Sequence, residues 1–564
     1  MVPISSIPGF QYSKYFGEVR VTFVEKIFHN LSQDDSKPCV HEVHGDRLET
    51  FSRHDFQSLI SRAQQKLQSL NVQKGDRVVL LGSNSAKWIA CDLAILSLGA
   101  ITVPLYNRQD PKELAFMAND CEPSLFIYST EDLKTDVTKH WDSSCPSILL
   151  ANIFELPGSS NIFNNQKSSD VATIIYTSGT SGHPKGVILT AENIGFMLER
   201  TTNQLYSAKK NTTNDDRVFH FLPLCFAGSR MMLWTQLFRG NPVYASMDLK
   251  NLVQEMGTAA PEFYLNVPAI LERIRTGVET KVFEKGGLIA KLYKKAITLG
   301  FQDKKTSFES FTFSLLSKLI LKSIRKKIGK NLRFLICGSA ALHPDTQKWF
   351  NLLGITVLQV YGLTETTAII TMDDPSDIAL GLVGKPIDGV TLSVSSEGEL
   401  LCKGPNIFPG YWKRDAETKA CFDSQGWFKT GDLAEITSTG HIKIMGRTKN
   451  MIIPTSGHNI VPEPIEEQLV QYCSKIEHAV LVGHGKPFLG IIVTGKAEPT
   501  EIETAIEKIN QNVPHYRKIK TYYHYQDGFT VENGFLTANQ KIKRKTVESL
   551  LQEKIDGMYQ QAAR

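Results

Sequence analysis

The chain lacks most of the features that mark a specialised class. Its nine cysteines (Cys39, Cys91, Cys121, Cys145, Cys225, Cys337, Cys402, Cys421, Cys473) are scattered, and none forms a C-x-x-C pair. That excludes zinc-binding and thioredoxin-like frameworks, and an odd number without a spacing pattern fits reduced thiols. No apolar run crosses a bilayer unbroken. The most membrane-like stretch, residues 89–106, contains Asp92, Gly99 and Pro104, and reads as a buried helix followed by a strand. Residues 1–9 have no basic cluster ahead of an apolar core, so no secretory signal is expected and a cytoplasmic location is. A large charge of one sign is also missing: +5 over 564 residues gives no global reason to expect nucleic acid. There is no internal repeat and no low-complexity tract.

What is present describes an ordinary globular chain, 41% hydrophobic and 21% charged, too long for one hydrophobic core. Two stretches carry strand–helix–strand rhythm. Gly75-Asp76 opens the strand 77–81, Ser83-Asn-Ser85 precedes a helix over 87–98, Gly99 ends it, and 101–103 returns as a strand. The pattern recurs with a strand at 333–336, a helix over 344–353 and a strand at 356–360. Alternation of this kind predicts an α/β fold with helices covering layered sheets. Residues 266–331 interrupt it as a lysine-rich helical insertion, in which Leu316, Ile320, Ile324 and Ile328 recur every four positions. A basic amphipathic helix over 311–330 suits either the protein's own core or an anionic membrane surface. Beyond Gly446-Arg447, residues 451–564 read as a smaller α+β domain.

The richest segment is Tyr176-Thr-Ser-Gly-Thr-Ser-Gly-His-Pro-Lys-Gly186, entered and left by apolar runs. Its glycines permit close backbone approach, its hydroxyls and N–H groups supply hydrogen bonds, and Lys185 supplies a cation. Such a loop suits a polyphosphate. It is not a Walker loop, because no glycine lies four residues before a Gly-Lys-Ser/Thr. Further along, Gln359-Val-Tyr-Gly-Leu-Thr-Glu365 brings an aromatic ring, a hydroxyl and a carboxylate to one strand end, where ligands of α/β sheets sit. Alone, Glu365 would pass for a solvated turn carboxylate. Gly426-Trp-Phe-Lys-Thr-Gly-Asp432 is a turn that delivers an acceptor-only group. Gly446-Arg447-Thr-Lys449-Asn450 and Asn533-Gly-Phe-Leu-Thr-Ala-Asn-Gln-Lys-Ile-Lys-Arg544 complete the set.

Together, and in this order, these motifs resemble the adenylate-forming superfamily of acyl-CoA synthetases, luciferases and peptide-synthetase adenylation domains. The resemblance implies a large adenylation and acyl-binding domain over 1–446, a hinge at 447–450 pivoting on Lys449, and a small mobile lid over 451–564. It implies that Thr177, Ser178, Gly179, Thr180, Ser181, Gly182 and Lys185 grip the ATP β- and γ-phosphates. Gly338, Ser339 and Ala340 would line the adenine pocket, with Tyr361 stacking on the base beside Gly362. Thr364 would contact the α-phosphate, and Glu365 with Thr177 would hold Mg²⁺. Asp432 would accept the ribose hydroxyls, Arg447 would contact ribose and phosphate, and Lys541, with Lys543 as its rival, would stabilise charge at the α-phosphate.

The helical insertion resembles that of long-chain members, and the loop around Gly457 resembles the segment that lines the CoA thiol's tunnel. The implied activity is that of a long-chain fatty acid–CoA ligase, with fatty acid, ATP and CoA as substrates. Two rivals remain: a fatty acyl-AMP ligase that loads a carrier protein, and a non-catalytic acyl or nucleotide binder. The chain departs from the pattern twice. Phe226 stands where many long-chain members have histidine, although Arg230 is kept, and Asn450 replaces an acidic residue at the hinge.

Overall fold

The computed structural model describes residues 21–141, 144–159, 161–177, 183–209, 216–537 and 541–562. Its first parallel unit forms where the sequence places it. The Ser85 hydroxyl accepts from the Trp88 N–H to cap the helix Ala86–Ser97, and Gly99, at φ +74°, lets the chain leave. Every residue of that helix except Lys87 is buried, so the strands on either side, Arg77–Leu81 and Ile101–Leu105, pair in parallel beneath it. They belong to a six-stranded sheet in the order Ser147–Leu149, Leu125–Tyr128, Arg77–Leu81, Ile101–Leu105, Val171–Thr177, Lys185–Thr190. The last two strands are antiparallel and place Thr177 opposite Lys185 and Tyr176 opposite Gly186. A Cβ on Gly186 would come within 2.6 Å of the Ile174 side chain, so only glycine fits this crossing.

A second sheet runs Arg47–Ser52, Pro38–His44, Val243–Ser246, Val218–His220. A third contains the second predicted unit: Leu265–Asn266, Phe334–Cys337 and Thr356–Tyr361 are parallel, followed by Thr371–Met372 and Lys385–Pro386 in antiparallel register. Helix Pro344–Leu352 makes the crossover.

Between Asn266 and Phe334 lie the helices Pro268–Lys285, Gly287–Phe301, Ser307–Leu316 and Lys322–Gly329, the last two joined by a π-helical turn, Ser317–Leu321. The four-residue repeat read from the sequence is shifted by this turn. Leu316, Leu321 and Ile324 are buried, while Ile320 and Ile328 are only partly so. One extra residue in the π turn carries the inward position from 320 to 321.

The chain divides into two compact units. One runs to Leu392 and takes in Cys402–Phe428 and Thr437–Ile442; the other comprises Ser393–Leu401, Lys429–Ile436 and Lys443–Arg564. The second unit is organised around a three-stranded sheet, Ile476–Val482, Leu489–Gly495, Ile519–His524. Side chains alternate across it. Ala479 and Leu481 pack with Ile465, Leu469 and Ile502 on one face, and Val480 and Val482 pack with Val547 and Ile555 on the other. All nine cysteines are free. Among the described residues no helix is long and apolar enough to cross a membrane.

Candidate active site

In the first unit the residues singled out by sequence meet at the exit of the third sheet and the edge of the first. Strand Thr356–Tyr361 ends at Gly362, where a Cβ would lie 2.3 Å from the Ala368 carbonyl oxygen. The chain then makes the 3₁₀ turn Thr364–Thr366 and passes through left-handed Thr367 (φ +53°) and Ala368 (φ +83°). Strained non-glycine backbone persists only when its surroundings determine it. Here the Leu363 N–H donates to the Thr366 hydroxyl at 2.9 Å, the Thr367 hydroxyl donates to the Asn406 carbonyl at 2.8 Å, and the Phe408 N–H donates to the Glu365 carbonyl at 2.8 Å. Glu365 is thereby fixed at the strand end.

The neighbouring parallel strand, Phe334–Cys337, emerges alongside, since Cys337 pairs with Gln359. Gly338 is buried against Val360, 2.7 Å from where its Cβ would stand, whereas Ser339 (φ +74°) and Ala340 are exposed. Gly338–Ala340 and Tyr361–Thr364 therefore share one end of the sheet.

Two residues that sequence reasoning missed surround Lys185 beside this end. The Tyr411 hydroxyl donates to Glu365 Oε1 at 2.8 Å, and Lys185 Nζ lies 5.3 Å from the centroid of the Tyr411 ring. Lys185 Nζ also sits 2.8 Å from Glu417 Oε2. Burial, and then the Glu365 charge, push the Tyr411 phenol well above its ordinary value, so it stays a proton donor. Thr177, paired with Lys185, belongs to the same neighbourhood. Among the described residues no side-chain hydrogen bond engages the Thr177 hydroxyl or the second oxygen of Glu365. A hydroxyl and a carboxylate are the hard oxygen donors that Mg²⁺ takes, so this pair fits that ion. Ser178, Gly179, Thr180, Ser181 and Gly182 lie outside the described residues.

The second unit gathers the other three predicted contacts. Arg447 Nε lies 2.7 Å from Asp432 Oδ1, and Asp432 is buried apart from its edge. Lys541 is held below the ordinary lysine value by desolvation first and by the Arg447 charge second, with Asp432 opposing both. Its side chain nonetheless reaches solvent. Backbone fixes its position: the Thr537 N–H donates to the Lys541 carbonyl at 2.7 Å, and the Lys541 N–H donates to the Thr537 hydroxyl at 3.0 Å. Lys449 is exposed in the 3₁₀ turn Thr448–Asn450. The departure at position 450 has a local reason, because Asn450 Nδ2 donates to Glu463 Oε1 at 2.6 Å. An aspartate there would face a carboxylate. Gly457, at φ +76°, tops an exposed turn closed by its N–H on the Pro454 carbonyl.

The remaining two predicted residues separate. Phe226 is half-buried at the start of helix Ala227–Phe238, its ring 5.4 Å from Tyr106. Arg230, expected in the acyl and CoA vicinity, turns its guanidinium entirely into the core. It pairs with buried Asp92, donates to the Thr173 hydroxyl at 2.6 Å and lies 4.3 Å from the Trp234 ring centroid. Its guanidinium is engaged there by Asp92 and Thr173.

Comparison with known proteins follows the same lines. The sequence pattern of the family described as AMP-binding enzyme matches residues 27–412, and that of the AMP-binding enzyme C-terminal domain matches 449–563. The chain is 28% identical to the long-chain-fatty-acid–CoA ligase FadD15 of Mycobacterium bovis, over 87% of this chain and 89% of that protein. It is 25% identical to the long-chain-fatty-acid–CoA ligase ACSBG1 of Rattus norvegicus, over 92% and 82%. Its fold is similar to that of o-succinylbenzoate coenzyme A synthetase (MenE) from Bacillus subtilis in complex with ATP and magnesium ion. The TM-score is 0.72, with 18% identity over 93% of this chain and 99% of that one.

Proposed function

The chain belongs to the AMP-binding enzyme family, and from that premise we propose that it is an ATP-dependent ligase that converts a long-chain fatty acid to its CoA thioester. The carboxylate of the acid attacks the ATP α-phosphorus, pyrophosphate leaves, and an acyl-adenylate results. The CoA thiolate then attacks the acyl carbonyl and AMP departs.

The observation that supports this reading is the linked set Thr177, Lys185, Tyr411 and Glu365, contributed by the edge of the first sheet and the exit of the third, a cation and oxygen donors of the kind a magnesium triphosphate needs. On this reading Lys185 neutralises the departing phosphates, with Ser178, Gly179, Thr180, Ser181 and Gly182 assigned to the same task by resemblance. Tyr361 and the Gly338–Ala340 segment hold the base. Thr364 orients the α-phosphate. Glu365 and Thr177 would hold Mg²⁺, which supplies charge neutralisation on the phosphate oxygens. Asp432 accepts from the ribose hydroxyls, Arg447 contacts ribose and phosphate, and Lys541 meets the charge that develops at the α-phosphate. We take 447–450 as a hinge about Lys449, with the lid beyond it. The lid presents Lys541 for the first step and the Gly457 loop for the second, a gating motion. Phe226 forms part of the acyl wall.

Two assays test the reading. ATP-dependent thioester formation with CoA, across acids from acetate to very long chains, should peak among long chains; activity only on short acids, or only with a carrier protein, would refute it. Lys541→Ala should lower fatty acid-dependent ATP–pyrophosphate exchange about 10²–10³-fold, the size of a lost transition-state donor. Thioester formation from supplied acyl-AMP should barely change. Equal losses in the two half-reactions would remove Lys541 from its role.

A further inference from the structure

We propose that the helical hairpin Gly287–Phe301 and Ser307–Gly329 is a docking face for an anionic lipid bilayer, through a stripe other than the one the sequence suggests. The four-residue repeat at Leu316 to Ile328 packs against the protein's own core, with Leu316 and Ile324 buried there beside Leu321. On the outward side a second stripe is left uncovered. Phe308 is 76% exposed, Phe311 70%, Leu315 50% and Leu319 60%. Their spacing of three, four and four keeps them on one helical face. Leu288, Ile289 and Phe283, in the preceding helices, are exposed as well. Seven of the eighteen exposed large apolar side chains among the described residues thus fall within 283–319, far more than a stretch of that length would hold if they were scattered.

Charge identifies what covers this face. Residues 283–330 contain twelve Lys and Arg against three Asp and Glu, a net of +9, while the whole chain carries +5. The remainder of the molecule is therefore at −4, and its positive charge is concentrated around the uncovered stripe. Lys304, Lys318, Lys322, Lys326 and Lys327 are exposed beside it. A second copy of so basic a surface would be repelled, whereas an anionic leaflet offers both an apolar interior for the Phe and Leu side chains and phosphates for the lysines. Each basic residue near such a surface adds to the attraction, so several together give a clear preference for anionic lipid. The π turn contributes by keeping Leu321 inward, so that Leu319 and Lys322 remain outside. The proposal bears on the fatty acid reading, since such acids partition into bilayers, but vesicle binding needs no turnover, and its failure would leave that reading standing.

The test is flotation of the full chain with vesicles of phosphatidylcholine alone and of equal parts phosphatidylcholine and phosphatidylglycerol. Wild type should bind the mixed vesicles at least about tenfold better. Lys318→Glu/Lys322→Glu/Lys326→Glu should abolish that preference. Phe308→Ser/Phe311→Ser/Leu315→Ser, all exposed positions, should lose binding at high salt with an unchanged thermal midpoint. Equal binding to the two vesicle types, or binding indifferent to both triple variants, would overturn the proposal. So would a wild-type dimer that the Ser variant converts to monomer without any vesicle binding, which would make the stripe a self-interface.

Discussion

If Glu365 holds a metal ion, as proposed, one of its oxygens is already spoken for by a hydrogen bond and the other is left for the ion. Tyr411 provides that bond, and its own ring carries Lys185 on its face. Tyr411→Phe keeps the ring and removes only the hydroxyl. A hydrogen bond to a charged group contributes roughly 1.5 kcal/mol or more, about a tenfold effect. The Mg²⁺ concentration for half-maximal ATP–pyrophosphate exchange should therefore rise about tenfold, with little change in the thermal midpoint. An unchanged Mg²⁺ dependence would show that Glu365 does not rely on Tyr411. Glu417 acts in the opposite sense under the proposed function, since its carboxylate holds the Lys185 ammonium for which an arriving phosphate would have to compete. Neither residue was legible in the sequence. Glu365 and Lys185 stand inside dense local motifs, whereas Tyr411 lies 46 positions from its hydrogen-bond partner in a segment of ordinary composition. Residues whose role depends on a distant partner leave no local pattern.

At the scale of elements, Arg230 ties three pieces together: its own helix Ala227–Phe238, the helix Ala86–Ser97 through Asp92, and the strand Val171–Thr177 through Thr173. Removing one member of a buried pair strands the other charge, at a cost of about 3–5 kcal/mol, while replacing both with apolar groups is often near neutral. Arg230→Met should lower the unfolding free energy measured by urea titration by that order, and Asp92→Leu/Arg230→Met should recover most of the loss. A single variant within about 1 kcal/mol of wild type would deny the pair this role. The same three elements illustrate what the sequence reveals. The helix at 86–97 was readable from its Ser cap and Gly exit to within one residue. The burial of Asp92 was not, because an acidic residue in an apolar helix looks the same from sequence whether it faces a cation or water. The π turn was likewise invisible: a four-residue repeat predicts an unbroken α-helix, and the extra residue is accommodated only because Leu321, not Ile320, fits the core.

Across the molecule, buried titratable groups set how stability responds to pH, and here they pull in opposite directions. His220 and His41 lie in the sheet Arg47–Ser52, Pro38–His44, Val243–Ser246, Val218–His220, and burial drops their values to about 3 and about 4 respectively, with Arg217 adding to the effect on His41. In the unfolded chain each would sit near 6.5. Below that pH the unfolded state binds a proton that the folded state refuses, so their contribution is intact above about pH 6.5 and erodes as pH falls toward 4 and then 3. Asp373 behaves oppositely. Burial raises it to about 7, so the folded state keeps a proton that the unfolded chain releases, and stability is lost as pH rises from about 4 to 7. A bare pH profile of the wild type therefore mixes the two signs. A difference measurement separates them, because Asp373 and His41 are common to wild type and His220→Gln. The variant begins with a packing loss at pH 7.5 but carries no proton linkage at position 220. At pH 5 the wild type has lost roughly 2 kcal/mol through His220, about 1.5 pH units at 1.36 kcal/mol each. The gap in unfolding free energy between the two should narrow by that amount between pH 7.5 and pH 5 in parallel urea titrations. A gap that stays constant over that range would mean that the His220 imidazole reaches protons in the folded state, and that this sheet is open where its burial says it is closed.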